Sequence, residues 1–325
     1  MESSAISIFW VSICITGTSL LTFIQPLKFN LMPNSQDKLH RFILEATDVR
    51  GNYVQLNHTI EKATQHQDLP ENLHTTLGEL MVASALLAST LKLDGSITLQ
   101  IQTNGPLKLL IAECNENLGI RGTVKWSGPI ASIKPIELIK EGHFIITLMQ
   151  KNAKNPYQGI VPMEGNSISE LLENYMLRSE QIQTKLWIQA QNNIFHGLLI
   201  QKLPFNSLAT VSDNDEIKKT WERVTESAES FNKVDPLLNT PALLQALFPL
   251  ETIRLYDATY PDFVCSCSKK NVENMLRLIG KEECESIIEE QSSITIHCDF
   301  CNECYQYSED EVDVIFNESI DSIKH

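Results

Sequence analysis

The 325-residue sequence predicts an α+β fold: an N-terminal mixed sheet-and-helix core, then a helical linker, then a small cysteine-rich domain. Three observations carry that reading. Residues 77–93, LGELMVASALLASTLKL, form a helical run that is apolar almost all the way round, and an alternating strand follows it directly. From residue 207 the apolar content thins, and Pro236, Pro241 and Pro249 cut the chain into short pieces. Six of the eight cysteines then fall within the forty residues from Cys265 to Cys304. These shifts divide the chain into an apolar leader at 1–31, a core at 32–206, a linker at 207–258 and a cysteine-rich domain at 259–325.

The leader carries no charge between Glu2 and Lys28, and residues 6–24 are about long enough to span a bilayer. No Lys or Arg precedes the apolar run and no small-x-small cleavage site follows it, so it is a poor secretory signal. Its Ser and Thr content weakens a membrane helix. The expectation is an over-extended start, with Met32 as the alternative first residue; a membrane anchor and a cleaved signal are the competing readings. An anchor would leave the main body in the cytosol, because Lys28, Lys38 and Arg41 lie C-terminal to it.

In the core, the small and straight-chain residues of 77–93 favour a buried helix, with Gly78 as its weak point. Asp94-Gly95 is a stop signal, and residues 96–102 alternate polar with apolar as a half-buried strand does. Asn104-Gly105 marks a hairpin turn before a second strand at 107–112. Further strands are expected at 119–126, 144–149, 186–191 and 195–203, and an amphipathic helix from residue 168 to 178 or just beyond. Gly95, Gly105, Gly159 and Gly165 read as turn glycines that need positive φ or close packing. Cys114 reads as a small buried hydrophobe. No phosphate loop, Ser-His-Asp set or paired carboxylate can be picked out, and the histidines are scattered.

The linker opens on the polar break Ser212–Glu216, and residues 217–231 read as a charged helix whose apolar stripe is only Trp221, Val224 and Ala228. Such a stretch buries little apolar area per ordered residue, so low local stability is expected. An ordinary interdomain connection and a region meant to melt are both open at this point.

Charge narrows the function classes. The chain carries −15, and residues 259–325, with fifteen Asp and Glu against five Lys and Arg, contribute −10 of it. Such a field repels phosphate backbones and argues against nucleic-acid binding. Eight cysteines are too few over this length for a disulfide-stapled secreted scaffold.

Cys265-x-Cys267 and Cys298-x-x-Cys301 are two close pairs able to bring four thiolates around one Zn²⁺ per chain, in the reduced form. The second pair lies between the strand-like residues 294–297 and 305–307, on a strand-turn-strand knuckle; a thioredoxin-like pair would open a helix instead. C-x-C is less usual than C-x-x-C as a structural half-site, and both pairs could close local disulfides once metal leaves. Cys304 overlaps as a second C-x-x-C with Cys301 and could replace Cys301 or Cys298; Cys298 and Cys301 are favoured because Cys304 then falls on the departing strand. Cys284 reads as packing, and His297 as pointing to the opposite strand face.

These motifs, in order, resemble those of bacterial redox-regulated holdase chaperones of the thirty-three-kilodalton heat-shock class. The resemblance runs through Leu39-His40-Arg41-Phe42, residues 77–102, Asn104-Gly105-Pro106-Leu107, YQGIVPMEG at 157–165, Arg178-Ser179-Glu180-Gln181 and the two cysteine pairs, covering about 32 to 316. It implies an ATP-independent cytoplasmic chaperone rather than an enzyme, inactive while reduced and zinc-bound. By position the oxidative disulfides would be Cys265–Cys267 and Cys298–Cys301. Zinc would then leave, the linker and C-terminal domain would unfold, and the protein, commonly a homodimer, would hold unfolding clients under oxidative and heat stress. The linker's low expected stability thereby becomes functional. Residues 1–31 have no counterpart in that pattern, and Cys304 is an extra thiol that could divert oxidation into a Cys301–Cys304 bridge. The competing functions are a thiol-disulfide oxidoreductase using Cys298/Cys301 or Cys301/Cys304, and a zinc-ribbon nucleic-acid binder, which the acidity disfavours.

Overall fold

A computed structural model describes residues 37–91, 94–140, 142–151, 153, 155–203 and 211–321; the apolar leader lies outside the described residues. In chain order, β1 (Lys38–Leu44) and β2 (Val49–Leu56) lead into α1 (His58–Thr64) and α2 (Glu71–Thr90). The next strands are β3 (Gly95–Thr103), β4 (Leu107–Asn115) and β5 (Gly119–Trp126), followed by α3 (Pro135–Ile139), β6 (Gly142–Gln150) and β7 (Tyr157–Val161). After α4 (Ile168–Arg178) come β8 (Thr184–Gln191) and β9 (Ile194–Lys202). Next are α5 (Val211–Ala228), a 3-10 turn (Glu229–Lys233) and α6 (Thr240–Leu247), with short strands β10 (Ile253–Leu255) and β11 (Asp262–Phe263). The C-terminal part holds α7 (Lys269–Ile279), α8 (Lys281–Gln291), the hairpin β12 (Ile294–His297) and β13 (Cys304–Tyr307), and α9 (Glu309–Asp321).

The core is α+β as expected. One sheet has five strands in the order β10-β1-β2-β9-β8, and the other has six in the order β11-β5-β4-β3-β6-β7. Helix α2 lies between them and packs on β2, β8 and β9 of one sheet and on β3, β4 and β5 of the other. That position explains its all-round apolar surface: Leu77, Leu80, Met81, Val82 and Leu86 are all fully buried. Gly78 is a site of close approach rather than a weakness, because a Cβ there would lie 2.2 Å from the Phe195 ring on β9.

Several expected boundaries shift. Helix α2 begins six residues earlier than residue 77, after Pro70, and its extended C-cap is Leu91. Gly95 and Gly159 sit inside β3 and β7, neither at positive φ. Added Cβ atoms would meet the Met149 carbonyl oxygen at 1.8 Å and the Tyr175 hydroxyl at 2.8 Å respectively, so these glycines serve packing. Cys114 is buried on β4, as expected.

The outer face of the five-stranded sheet is covered by residues 217–248. Val224, Ala228, Phe231, Leu244, Leu247 and Phe248 are buried there against Phe42, Leu44, Tyr53, Leu198 and Ile200. The segment is therefore a docked cover, better anchored than its narrow predicted stripe suggested, although Leu237 and Leu250 remain exposed. A third, smaller cluster gathers Val272, Leu276, Cys284, Ile288, Tyr307 and Val312 from α7, α8, the hairpin and α9. Among the described residues no helix is long and apolar enough to cross a membrane.

Candidate metal centre

The two cysteine pairs arrive by different routes. Strand β11 adds to the edge of the six-stranded sheet, parallel to β5, with Asp262 opposite Gly119 and Phe263 opposite Ile120. The Val264 N–H continues the ladder by donating to the Ile120 carbonyl at 3.1 Å, and Lys62 pairs with Asp262 at 2.9 Å. The chain then delivers Cys265-Ser266-Cys267 directly off this edge, and Ser268 caps α7 by accepting from the Asn271 N–H at 3.2 Å.

The second pair occupies the turn of the β12–β13 hairpin. Cys298 N–H donates to the Glu303 carbonyl at 2.9 Å, and Asn302 N–H donates to the Cys298 carbonyl at 2.8 Å. Asn302 adopts a left-handed φ of 59°, a conformation its short polar side chain tolerates. This is a knuckle closed by its own backbone.

The structure brings Cys265, Cys267, Cys298 and Cys301 together, with all four Sγ atoms within 4.8 Å of one another. Two contacts cross between the pairs: Cys265 to Cys298 at 3.6 Å, and Cys267 to Cys301 at 3.3 Å. A tetrahedral zinc site with bonds of about 2.3 Å has sulfur–sulfur edges near ~3.8 Å. A disulfide would need about 2.05 Å. The donor set therefore fits a thiophilic divalent cation. Electrostatics agree, since burial and the adjoining sulfurs push the Cys301 thiol pKa up, so a cation is needed to hold four thiolates at once.

Groups around the sulfurs complete the site. The Tyr305 hydroxyl donates to Cys267 Sγ at 3.2 Å, and this bond raises the Tyr305 pKa. Arg121 on β5 pairs with Glu113 at 2.9 Å and lies over the Phe300 ring at 4.3 Å. Burial works against the Arg121 charge, but Glu113 and then Cys265 outweigh it and raise the guanidinium pKa. Lys125, also on β5, pairs with Asp299 of the knuckle. Both cysteine pairs are thus held against the same strand of the core.

Cys304 is exposed at the start of β13, opposite His297 and outside the four-sulfur group. Cys284 is buried in the C-terminal cluster, and Cys14 lies outside the described residues. Sequence reasoning missed Arg121, Lys125 and Tyr305. The first two lie far from the knuckle in sequence and carry no motif; Tyr305 was visible only as a strand residue. Arg121→Gln is expected to weaken knuckle docking by about 1–2 kcal/mol. Hydrogen exchange at residues 298–303 should accelerate roughly tenfold while metal stays bound.

A family model described as Hsp33 protein matches residues 37–308. The 33 kDa chaperonin of Methylobacillus flagellatus is 44% identical over 286 residues, covering 87% of this chain and 96% of that protein. The 33 kDa chaperonin of Chromobacterium violaceum is 37% identical over 289 residues, covering 87% and 95%. The crystal structure of the 33 kDa chaperonin (heat shock protein 33 homolog) from Thermotoga maritima superposes with a TM-score of 0.70 at 21% identity. That match covers 87% of this chain and 99% of the other, and shares the fold.

Proposed function

The chain belongs to the Hsp33 protein family, and from that membership we propose that it is a cytoplasmic, ATP-independent holdase chaperone switched on by oxidation of its four-cysteine site. The observation that carries this reading is the gathering of four half-buried sulfurs where the sheet edge meets the C-terminal unit.

In the reduced state the ligands are Cys265, Cys267, Cys298 and Cys301, around one Zn²⁺ per chain. When bound, the ion keeps the sulfurs as thiolates and ties strand β11 to the knuckle. Oxidation yields Cys265–Cys267 and Cys298–Cys301. For each disulfide, a thiolate attacks one oxygen of a peroxide, the O–O bond breaks, and the other oxygen leaves as hydroxide. The neighbouring sulfur then displaces the sulfenic oxygen, which departs as water, so two thiols and one peroxide give one disulfide. Each local disulfide joins sulfurs of one pair only, so with the metal gone no bond ties the Cys265 side to the knuckle.

The consequence travels along a short path. Between β10, paired to β1, and β11, paired to β5, Thr259 exchanges backbone hydrogen bonds with Leu39 at 2.8 and 2.9 Å. Release of the Cys265 side frees the C-terminal end of the covering segment 217–248, and the apolar face beneath it becomes available to unfolding proteins. The oxidised chain works as a homodimer. The oxidoreductase alternative lacks what it needs, since Cys298 and Cys301 sit in a hairpin turn and open no helix.

The test is heat-induced aggregation of a client protein, with the chaperone reduced or pretreated with peroxide at elevated temperature. Protection by the oxidised form alone is expected, together with zinc release and doubling of the mass in solution. Equal protection by both forms overturns the switch, and catalytic turnover of a disulfide substrate favours the oxidoreductase.

A further inference from the structure

His196 lies on β9, on the face covered by residues 217–248, and is completely buried. Among the described residues neither ring nitrogen has a hydrogen-bond partner. The Phe231 ring of the 3-10 turn lies over it at 4.6 Å, and the Tyr53 ring of β2 meets it edge-on at 6.2 Å. The Tyr53 hydroxyl is also buried and unpartnered among the described residues. A neutral imidazole can fill this slot as a flat ring, but an imidazolium there would be a buried cation with no anion and no acceptor.

We infer that His196 is an acid sensor for the covering segment: a proton on its ring expels Phe231 and the flanking helices from the sheet while the cysteines stay reduced and metal-bound. This rests on the reading that release of that segment exposes the client surface, and adds a second trigger for the same release.

The surroundings supply no competing charge. From β1, His40 is nearest in register to Tyr53, and its Nδ1 lies 3.2 Å from the Tyr256 carbonyl oxygen. From β2 the cross-strand neighbour is Gln55 and from β8 it is Gln189, both neutral. Farther along β8, Lys185 is tied to Glu173 at 2.7 Å. The 3-10 turn carries Glu229 and Lys233, neither in ionic contact with His196 among the described residues, and α6 carries no charge. From α5, Lys218, Lys219, Glu222 and Glu226 are exposed to solvent, and Arg223 is committed to Glu251 at 2.7 Å. Tyr53 itself is driven further toward its neutral form by burial.

Burial lowers the His196 pKa from 6.5 to about 4. Its contribution to docking is therefore fully present above the exposed value and is lost as pH falls from 6.5 toward 4. In α2, on the other side of this sheet, burial raises Glu79 to about 7, so acid favours the folded state there and cannot cause the release.

The experiment follows hydrogen exchange of residues 217–248, corrected for intrinsic rates, in the reduced full-length protein loaded with zinc, with zinc retention measured at each pH. The opening constant should rise up to about tenfold per pH unit between about 6 and 4.5, and His196→Leu should be flat across that range. An NMR titration of the wild-type His196 ring gives an independent reading. A ring that protonates near its free value with segment exchange unchanged overturns the inference, as does an equal acid response in His196→Leu. Peroxide then separates the two triggers. Opening by peroxide but not by acid overturns the acid sensor and leaves the oxidative switch; opening by acid but not by peroxide supports the sensor and overturns the switch.

Discussion

Serine in place of any one of Cys265, Cys267, Cys298 or Cys301 is expected to cut the metal content from one ion per chain to below roughly a tenth, while Cys304→Ser leaves it unchanged. The size of the effect follows from what else holds the C-terminal part together. Its apolar cluster is small, built around Val272, Leu276, Cys284, Ile288, Tyr307 and Val312, and large residues such as Leu278 and Val314 stay exposed. A core of that size rarely supplies more than about 3–5 kcal/mol by itself. Structural zinc binding contributes about 10–16 kcal/mol at neutral pH, so an ion held by the four sulfurs as proposed would dominate the folding of this unit. Its surface pairs, such as Lys269 with Glu311 and Lys281 with Asp313, are solvent-exposed and add little. The serine variants should therefore lose protection from hydrogen exchange across α7, α8 and α9 together, with β3 and β4 of the core unaffected. A chromogenic zinc assay with exchange mass spectrometry reads both outcomes. Metal loss in Cys304→Ser would show that the wrong C-x-x-C was chosen.

What could be read from the sequence depended on whether the relevant contacts were local. The bounds of α4 were legible because Ser167 caps it and accepts from the Glu170 N–H, and its apolar residues keep helical spacing. The β3–β4 hairpin was legible from alternation around Asn104-Gly105. Strand β1 was read only through the motif Leu39–Phe42 and β2 was missed, because β2 hides its nature: Arg50 and Asn52 look like loop residues. Arg50 is satisfied by Gln201 at 2.7 Å and Asn52 by Ser89 at 2.7 Å, partners distant in sequence. Similarly, the four sulfurs could be named from spacing, whereas the clasp of Arg121 on Phe300 and Lys125 on Asp299 depends on how the knuckle meets β5. The full apolar face of the covering segment was hidden for the same reason. Its helices look weakly amphipathic alone, and only the tertiary fold shows that Phe231, Leu247 and Phe248 share one apolar face of a sheet.

Phe231→Ala is expected to make the reduced, zinc-loaded chain suppress client aggregation without any oxidant. Phe231 is fully buried, lies over His196 at 4.6 Å and meets Tyr53 edge-on at 6.4 Å. Truncating a buried phenylalanine to alanine costs about 3–5 kcal/mol. Here the loss falls on a segment whose docking is the quantity of interest, and local openings of peripheral units lie only a few kcal/mol above the closed state. The remaining ties, Val224, Ala228, Leu244, Leu247 and Phe248 on the sheet and the Arg223–Glu251 contact at 2.7 Å, are the same in both chains and do not offset the loss. The closed-to-open ratio should thus fall by about a hundredfold or more, enough to populate the released state. Light scattering of a heat-denatured client reads the activity, exchange over residues 217–248 reads the release, and zinc content shows that the cysteine site is intact. Leu237→Ala, an exposed position on the same segment, should change none of these. Release without holding activity would mean that the uncovered sheet face is not the client surface; holding activity with zinc still bound would show that the metal site acts on clients only by keeping this segment down.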